Sequence, residues 1–272
     1  MPAKRRFTII SIIIPTLNEE RLLPALLDAV HQQGADHEVI VVDSGSRDRT
    51  VDIARDRGDR TLVSRPGRGA AICVGAAESR GEVLFFLHAD SMLLPGALHR
   101  INQVLSADPN IIGGNCRLVF DGDTPFSRWL TGFYAWIRSI GLYYGDSGIF
   151  VRRSVYDALG GFRPIPVMED LEFVRRLERF GRTCCIMDPP LITSSRRFER
   201  RRPSEIFYGW VKLHALFWLG VSPDRLADIY KTHAPPAEMP ERRRARKAFT
   251  TRVHHHVSGT REAQHWRRPT SS

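Results

Sequence analysis

The chain reads as an α/β domain, a mostly parallel sheet flanked by helices, with a helical C-terminal extension. Three observations predict this. β-Branched apolar runs recur along the N-terminal half, at Phe7 to Ile14, Glu38 to Val42 and Val83 to Leu87. Each is followed by a stretch with helical spacing of apolar residues. Each also ends in residues with polar chemistry to offer. Continuous apolar runs of this length suit strands buried on both faces of a parallel sheet. Alternation of strand and helix is the pattern of a doubly wound domain. In such sheets ligands bind at the carboxyl ends of the strands.

The first run is stopped by Pro15 and leads into Thr16-Leu17-Asn18-Glu19-Glu20. Lys4-Arg5-Arg6 ahead of it mimics a signal peptide, but the run lacks a small-residue cleavage site, so it reads as the first strand. A helical pattern follows from Glu20 to Gln32. The second run ends in Asp43-Ser44-Gly45-Ser46, with a helix at Arg49 to Arg57. The third ends in His88-Ala89-Asp90, with a helix at Pro95 to Ser106. Ile112 to Phe120 is an expected strand. Phe126 to Ile140 is an expected helix whose Trp129, Phe133, Trp136 and Ile137 read as a core stripe.

Met168-Glu169-Asp170 follows Gly160-Gly161-Phe162 and opens a helix from Leu171 to Phe180. The two carboxylates favour a helix start, where the macrodipole welcomes negative charge. Leu171, Val174 and Leu177, with Phe173 and Phe180, give an apolar stripe that points the carboxylates back toward what precedes the helix. Alone, the pair is equally a charged helix start. Below strand ends that carry acids, one carboxylate reads as a general base at the floor of a cleft. Leu191 to Thr193 is a short strand. Ser204 to Gly220 is a helix too short to span a bilayer. It is expected to pack on the body, with a membrane-surface position beside the preceding Arg run as the alternative. Pro223 to Tyr230 is a final short helix.

This organisation divides the chain into a domain over 1–202, a helical extension over 203–232 and a basic tail over 233–272, the tail expected to be disordered. The formal net charge is +10. The tail from Glu241 holds nine Arg or Lys against two Glu, and residues 196–202 hold five Arg against one Glu. The remainder is therefore nearly neutral, and the basicity sits in two patches. Cys73, Cys116, Cys184 and Cys185 lack metal-ligand spacing, which fits a reducing cytoplasm. His254-His255-His256 is assigned no role.

Several strand-end residues suit a nucleotide. Asp43 can accept hydrogen bonds from a base edge or from ribose hydroxyls. Asp90 is a hard oxygen ligand for Mg²⁺ or Mn²⁺, which typically take one or two carboxylates plus substrate phosphates. Arg65 and Arg68 lie on a loop within reach of a base or diphosphate. Arg196 and Arg197 follow a strand end and can close over a diphosphate, since guanidinium groups suit phosphate oxygens. Asp146 and Glu169 can bind acceptor hydroxyls.

The order Ile14-Pro15-Thr16-Leu17-Asn18-Glu19-Glu20, Val41-Val42-Asp43-Ser44-Gly45-Ser46, His88-Ala89-Asp90, Gly160-Gly161-Phe162 and Glu169-Asp170 resembles family 2 glycosyltransferases with the GT-A (Rossmann-like) fold. Tyr144 to Arg153 and Ser194 to Phe198 are most similar to a bacterial subgroup described as radical-SAM and selenodomain associated. The resemblance covers roughly Thr8 to Tyr230. It implies an inverting transfer from a nucleotide-sugar to an acceptor hydroxyl. Pro15, Thr16, Asn18 and Glu20 would line the nucleotide pocket, Asp43 would hold base or ribose, and Arg68 would approach the nucleotide. His88-Ala89-Asp90 stands in the place of an Asp-x-Asp motif, with His88 toward ribose and Asp90 as metal ligand. Asp170 would be the general base. The acceptor would be unknown, with a lipid-linked molecule in view, and the location cytoplasmic or peripheral on the inner face of the plasma membrane.

His88, Ser44 and Cys73 depart from the family pattern, where Asp, a second acid and Asn are more usual. Two other functions stay open: a non-catalytic nucleotide-binding module, opposed by the intact Glu169-Asp170, and a basic nucleic-acid binder, opposed by the near-neutral body. A dinucleotide-dependent dehydrogenase is disfavoured because no Gly-x-Gly-x-x-Gly follows the first strand.

Overall fold

The computed structural model describes residues 9–57, 60–122, 124–196 and 202–233. Arg197, the start of the expected first strand at Phe7 and the basic tail lie outside the described residues. The first half runs β1 (Ile10–Thr16), α1 (Leu23–His31), β2 (His37–Asp43), α2 (Thr50–Asp56), β3 (Arg60–Val63), α3 (Arg68–Glu78), β4 (Val83–Phe86), β5 (Ser91–Leu93) and α4 (Ala97–Ala107). The second half runs β6 (Ile111–Phe120), α5 (Pro125–Ser139), a 3-10 turn (Gly145–Ser147), β7 (Ile149–Arg152), α6 (Arg153–Ala158), α7 (Glu169–Phe180), β8 (Arg182–Thr193), α8 (Pro203–Trp218) and α9 (Pro223–His233).

The strands form one sheet in the order β3-β2-β1-β4-β7-β6-β8-β5. From β3 to β4 the pairings are parallel. β7 is antiparallel to both β4 and β6, β8 is parallel to β6, and β5 is antiparallel to β8. The mostly parallel sheet expected is thus a mixed one, parallel through its first four strands.

Alternation along the strands divides the core between the two faces. Ile10, Ile12, Ile14, Val41 and Phe85 pack with Leu23, Leu26 and Leu27 of α1 and Leu98 and Ile101 of α4. Ile13, Ile40, Val42, Leu84 and Phe86 face the other way, onto α3, α6 and α7 through Ile72, Tyr156, Phe173 and Val174. Both faces are covered, so the strands read as unbroken apolar runs. α3 lies very close to β1: a Cβ on Gly75 would stand 2.5 Å from Ile13 Cγ2.

Three local expectations change. Pro15 does not stop β1 but pairs with Val42 inside it. The β1–β4 ladder ends at Ile13 with Phe86, and Leu87 then donates to the Ile13 carbonyl. The missing Pro15 N–H therefore falls past the last bond β4 requires. α1 begins at Leu23 rather than Glu20, because the Glu19 and Glu20 N–H groups donate to Thr50 Oγ1 (2.8 Å) and Asp48 Oδ2 (3.1 Å). Those bonds clasp the β1–α1 loop to the start of α2.

The third change is in α5. Leu130, Tyr134 and Ile137 are buried against Leu118 and Phe120, while Trp129 and Trp136 are 45% and 59% exposed. Trp129 and Trp136 recur at seven residues, as Leu130 and Ile137 do, but one position earlier. On a helix that is a rotation of about 100°, and the expected core stripe proves to be two faces. Phe180, at the last turn of α7, is likewise exposed rather than in the stripe.

Candidate active site

The carboxyl ends of β1, β2 and β4 meet the N-termini of α3 and α7 at one edge of the sheet. A pocket of about 240 Å³ opens there, lined by Pro15, Thr16, Leu17, Glu19, Ser44, Gly67, Arg68, His88, Ala89 and Asp90. Pro15, Thr16, Arg68, His88 and Asp90 are thus brought together as expected of a shared site. Asn18, Glu20 and Asp43 lie beside it but do not line it.

Their hydrogen bonds explain the displacement. Asn18 has a left-handed backbone, φ 55°. Its Oδ1 accepts from the Arg47 N–H (2.9 Å) and its own N–H donates to Ser46 Oγ (2.8 Å). Glu20 turns away, and its Oε2 accepts from the Arg49 N–H at 3.2 Å. The carboxylate that reaches the pocket from this loop is Glu19. Asp43 closes its own turn: Oδ2 accepts the N–H groups of Gly45 (2.9 Å) and Ser46 (2.8 Å), and Oδ1 accepts the hydroxyls of Ser46 (2.5 Å) and Thr16 (3.3 Å). Its neighbour Ser44 is what faces the cavity.

Arg68 is the centre of the charged part. Its Nε donates to Glu169 Oε1, its Nη2 to Asp170 Oδ2 at 3.3 Å, and its Nη1 lies 3.3 Å from His88 Nε2. Burial works against its charge, but Glu169 and Asp170 outweigh that and hold its pKa above the ordinary guanidinium value. Glu169 is fully buried, and burial pushes its carboxyl pKa up against the pull of Arg68. It therefore sits behind Arg68, out of reach of an acceptor hydroxyl, and its geometry is that of a residue positioning Arg68.

Asp170 is differently placed. Its Oδ2 accepts the Gly145 N–H at 2.9 Å, and its Oδ1 accepts the Leu171 N–H at 2.8 Å. α7 starts on Met168, which holds a left-handed φ of 62° without being glycine. Such strain is uncommon and persists where surroundings fix it, often at functional sites. A Cβ on Gly145 would lie 2.8 Å from His88 Nε2 and 3.3 Å from Asp170 Oδ2, so any side chain here would push on these two groups. Tyr144, just before it, has its hydroxyl 2.9 Å from His214 Nε2 of α8. Asp146, on this same turn, accepts the Tyr134 hydroxyl at 2.9 Å.

Arg196 follows β8 and spans the pocket mouth, with Nη2 2.6 and 2.7 Å from the two oxygens of Glu19 and 3.8 Å from Asp90 Oδ2. Among the described residues no three His, Cys, Asp or Glu gather as a closed metal cage. Asp90 and Glu19 line the pocket as hard oxygen donors, Glu19 in an ion pair with Arg196. That set fits a Mg²⁺ or Mn²⁺ ion that completes its shell with substrate phosphates and water, and does not suit a metal held by protein alone.

Glu19, Ser44 and His214 are site residues that the sequence reading did not single out for these positions, whereas the turn at Tyr144 and Gly145 is expected to return to this edge. Between Glu19 and Glu20, only the reversed backbone at Asn18 decides which faces the cavity. His214 lies outside the motifs and is found only through the packing of α8, which brings it to Tyr144.

Residues 11–160 match the family model described as glycosyl transferase family 2. The chain is 32% identical over 169 residues to the undecaprenyl-phosphate 4-deoxy-4-formamido-L-arabinose transferase of Pseudomonas fluorescens, covering 55% of this chain and 49% of that protein. It is 34% identical over 183 residues to an uncharacterized glycosyltransferase of Haemophilus influenzae, covering 62% and 61%. The chain thus spans about half the length of the Pseudomonas relative. Among solved structures it is similar to the mannosyltransferase PcManGT of Pyrobaculum calidifontis in complex with GDP-Man and Mn²⁺, with a TM-score of 0.55, 19% identity, and coverage of 91% of this chain and 80% of that one. It is also similar to S. aureus TarS 1–349 in complex with UDP-GlcNAc, with a TM-score of 0.54, 17% identity and coverage of 80% and 70%. The fold is that of a GT-A glycosyltransferase. The chain belongs to glycosyl transferase family 2.

Proposed function

We propose that the protein moves a sugar from a nucleotide-sugar to an acceptor hydroxyl with inversion, and that Asp170 is the general base. The observation that supports this best is the position of Asp170. Its carboxylate does not itself line the pocket, but it is fixed by Gly145 and by Arg68, which does. A diphosphate held at Arg68 sets the anomeric carbon near Asp170.

In this reading Thr16, Ser44 and Pro15 bound the nucleoside end. Arg196 and Arg68 offer guanidinium hydrogen bonds to the diphosphate. Asp90 would hold the divalent cation, which when bound neutralises charge on the departing diphosphate. Asp170 Oδ2 takes the proton from the acceptor hydroxyl as that oxygen attacks the anomeric carbon and the glycosyl–phosphate bond breaks. His88 reaches toward the ribose side, in contact with Arg68. The name of the Pseudomonas relative, an undecaprenyl-phosphate 4-deoxy-4-formamido-L-arabinose transferase, supports a lipid-linked acceptor, here one that offers a hydroxyl. The motif at Tyr144 to Arg153 supports membership of the radical-SAM-associated subgroup.

The test is a thermal-shift panel of UDP, GDP and dTDP with and without Mn²⁺, since a bound nucleotide raises the melting temperature by mass action. One nucleotide is expected to stabilise the wild type and Asp170→Asn alike, and to lose its Mn²⁺ dependence in Asp90→Ala. The Asp170→Asn variant is expected to lose sugar transfer by a factor of about 100 or more. Unchanged transfer in that variant would remove Asp170 from the role of base.

A further inference from the structure

α8 carries two apolar faces, and the fold buries one. Ile206 and Leu213 are buried, with Trp210 packed against Phe133 and Tyr134 of α5. About 100° around the helix, Phe207 and Val211 lie at i and i+4 and are 46% and 50% exposed. The exposed face does not stop at α8. Trp129 of α5 meets Phe207 edge-on at 6.3 Å, and Phe133 joins Trp129 to the exposed Trp136. A surface helix normally turns polar groups to water, so an aromatic patch of this kind marks an interaction site.

The charges on and around it indicate the partner. Arg128 and Arg202 are exposed at the two helix starts, and Lys212 lies beside Val211 on α8. By sequence, the stretch 196–202, with five Arg and one Glu, runs directly into the N-terminus of α8. Aromatic residues interleaved with Lys and Arg suit the headgroup region of an anionic bilayer. No described helix is long and apolar enough to cross a membrane.

We infer that the outward face of α8, together with Trp129 and Trp136, docks the enzyme on an anionic lipid surface. The same helix braces the site: His214 meets Tyr144, and the adjacent Gly145 N–H holds Asp170. Docking on this face sets the acceptor side of the pocket at the bilayer. This deepens the lipid-linked acceptor reading and rests on it for its purpose, but the docking itself is measured without substrate.

The test is vesicle flotation of the full chain with phosphatidylcholine vesicles and with vesicles containing 30% phosphatidylglycerol. The wild type and Asp170→Asn are both expected to float with the anionic vesicles, less so at 0.5 M NaCl. Phe207→Ser/Val211→Ser and Trp136→Ser, checked for folding by circular dichroism, are expected to lose at least tenfold in partitioning. Flotation that survives these substitutions would assign binding to the basic tail and overturn the proposal. So would a wild type that does not float, or one that is a dimer in solution and becomes monomeric in the same variants. A wild type that floats while no sugar transfer is detected would leave the docking face standing and count against the proposed function alone.

Discussion

Glu169 lies fully buried behind Arg68, with Oε1 accepting the Arg68 Nε and Oε2 lacking a hydrogen-bond partner among the described residues. The pair joins the start of α3 to the start of α7. A buried carboxylate in this state depends on its cation.

Arg68→Ala is therefore expected to lower stability by about 2–3 kcal/mol, because it strands the Glu169 charge. Adding Glu169→Gln removes that charge and should restore at least about 1 kcal/mol. Urea unfolding of the two single variants and the double variant measures this. A double variant no more stable than Arg68→Ala would mean that lost packing, not a stranded charge, is responsible.

Gly145→Ala tests the close approach between the turn and the two side chains above it. The new methyl meets His88 Nε2 and Asp170 Oδ2, the ends of two side chains able to shift. The melting temperature should move little. A displacement of the base by a fraction of an ångström should still lower kcat by about tenfold or more. Steady-state kinetics beside a melting curve separates the two effects.

Arg196→Ala removes the ion pair at the pocket mouth. Arg196 is 38% exposed at its side chain, so the loss of stability should stay within about 0.5 kcal/mol. The donor KM should rise about tenfold while kcat changes less, if the guanidinium transfers from Glu19 to the diphosphate. An unchanged KM would confine Arg196 to the ion pair with Glu19.

Glu38 gives a pH dependence far from the pocket. Burial raises its pKa, but its hydrogen bonds from Ser11 Oγ (2.5 Å) and from the Arg80 and Gly81 N–H groups win, and the folded value lies below 4.5. Stability from such a depressed carboxyl is present above 4.5 and lost as pH falls through the folded value. Glu38→Gln should cost about 1–2 kcal/mol at pH 7, and the difference from wild type should narrow below pH 4.5. Urea midpoints at pH 7 and pH 3.5 are the measurement.

The parallel half of the fold is legible in the sequence because β1, β2 and β4 are buried on both faces and each ends in a polar motif. The antiparallel β7 and the long β8 are less so. β7 is four residues between a turn and a helix, and β8 carries Pro189 and Pro190 across a register shift with β6. In the site, residues named by local motifs converge: Thr16, Arg68, His88, Asp90 and Asp170. What local pattern does not resolve is direction. Glu19 and Glu20 are adjacent, and the backbone turns Glu19 toward the cavity and Glu20 toward Arg49; of Glu169 and Asp170, Glu169 is fully buried and Asp170 meets the turn at Gly145. Trp129 and Leu130 pose the same problem, one helical position apart.

The reversal of β7 has a consequence for how such a chain can diversify. Strands β1, β2 and β4 reach the pocket at their ends, and the loops after β1 and β2 are tied to one another by Asn18, Asp43 and Asp48. β7 reaches the same edge at its beginning, and the chain arrives there through residues 121–148 after leaving the sheet. That excursion can lengthen, shorten or be exchanged between relatives without cutting a strand of the parallel half. One partner of the reaction can thus be re-specified while the apparatus for the other is inherited unaltered.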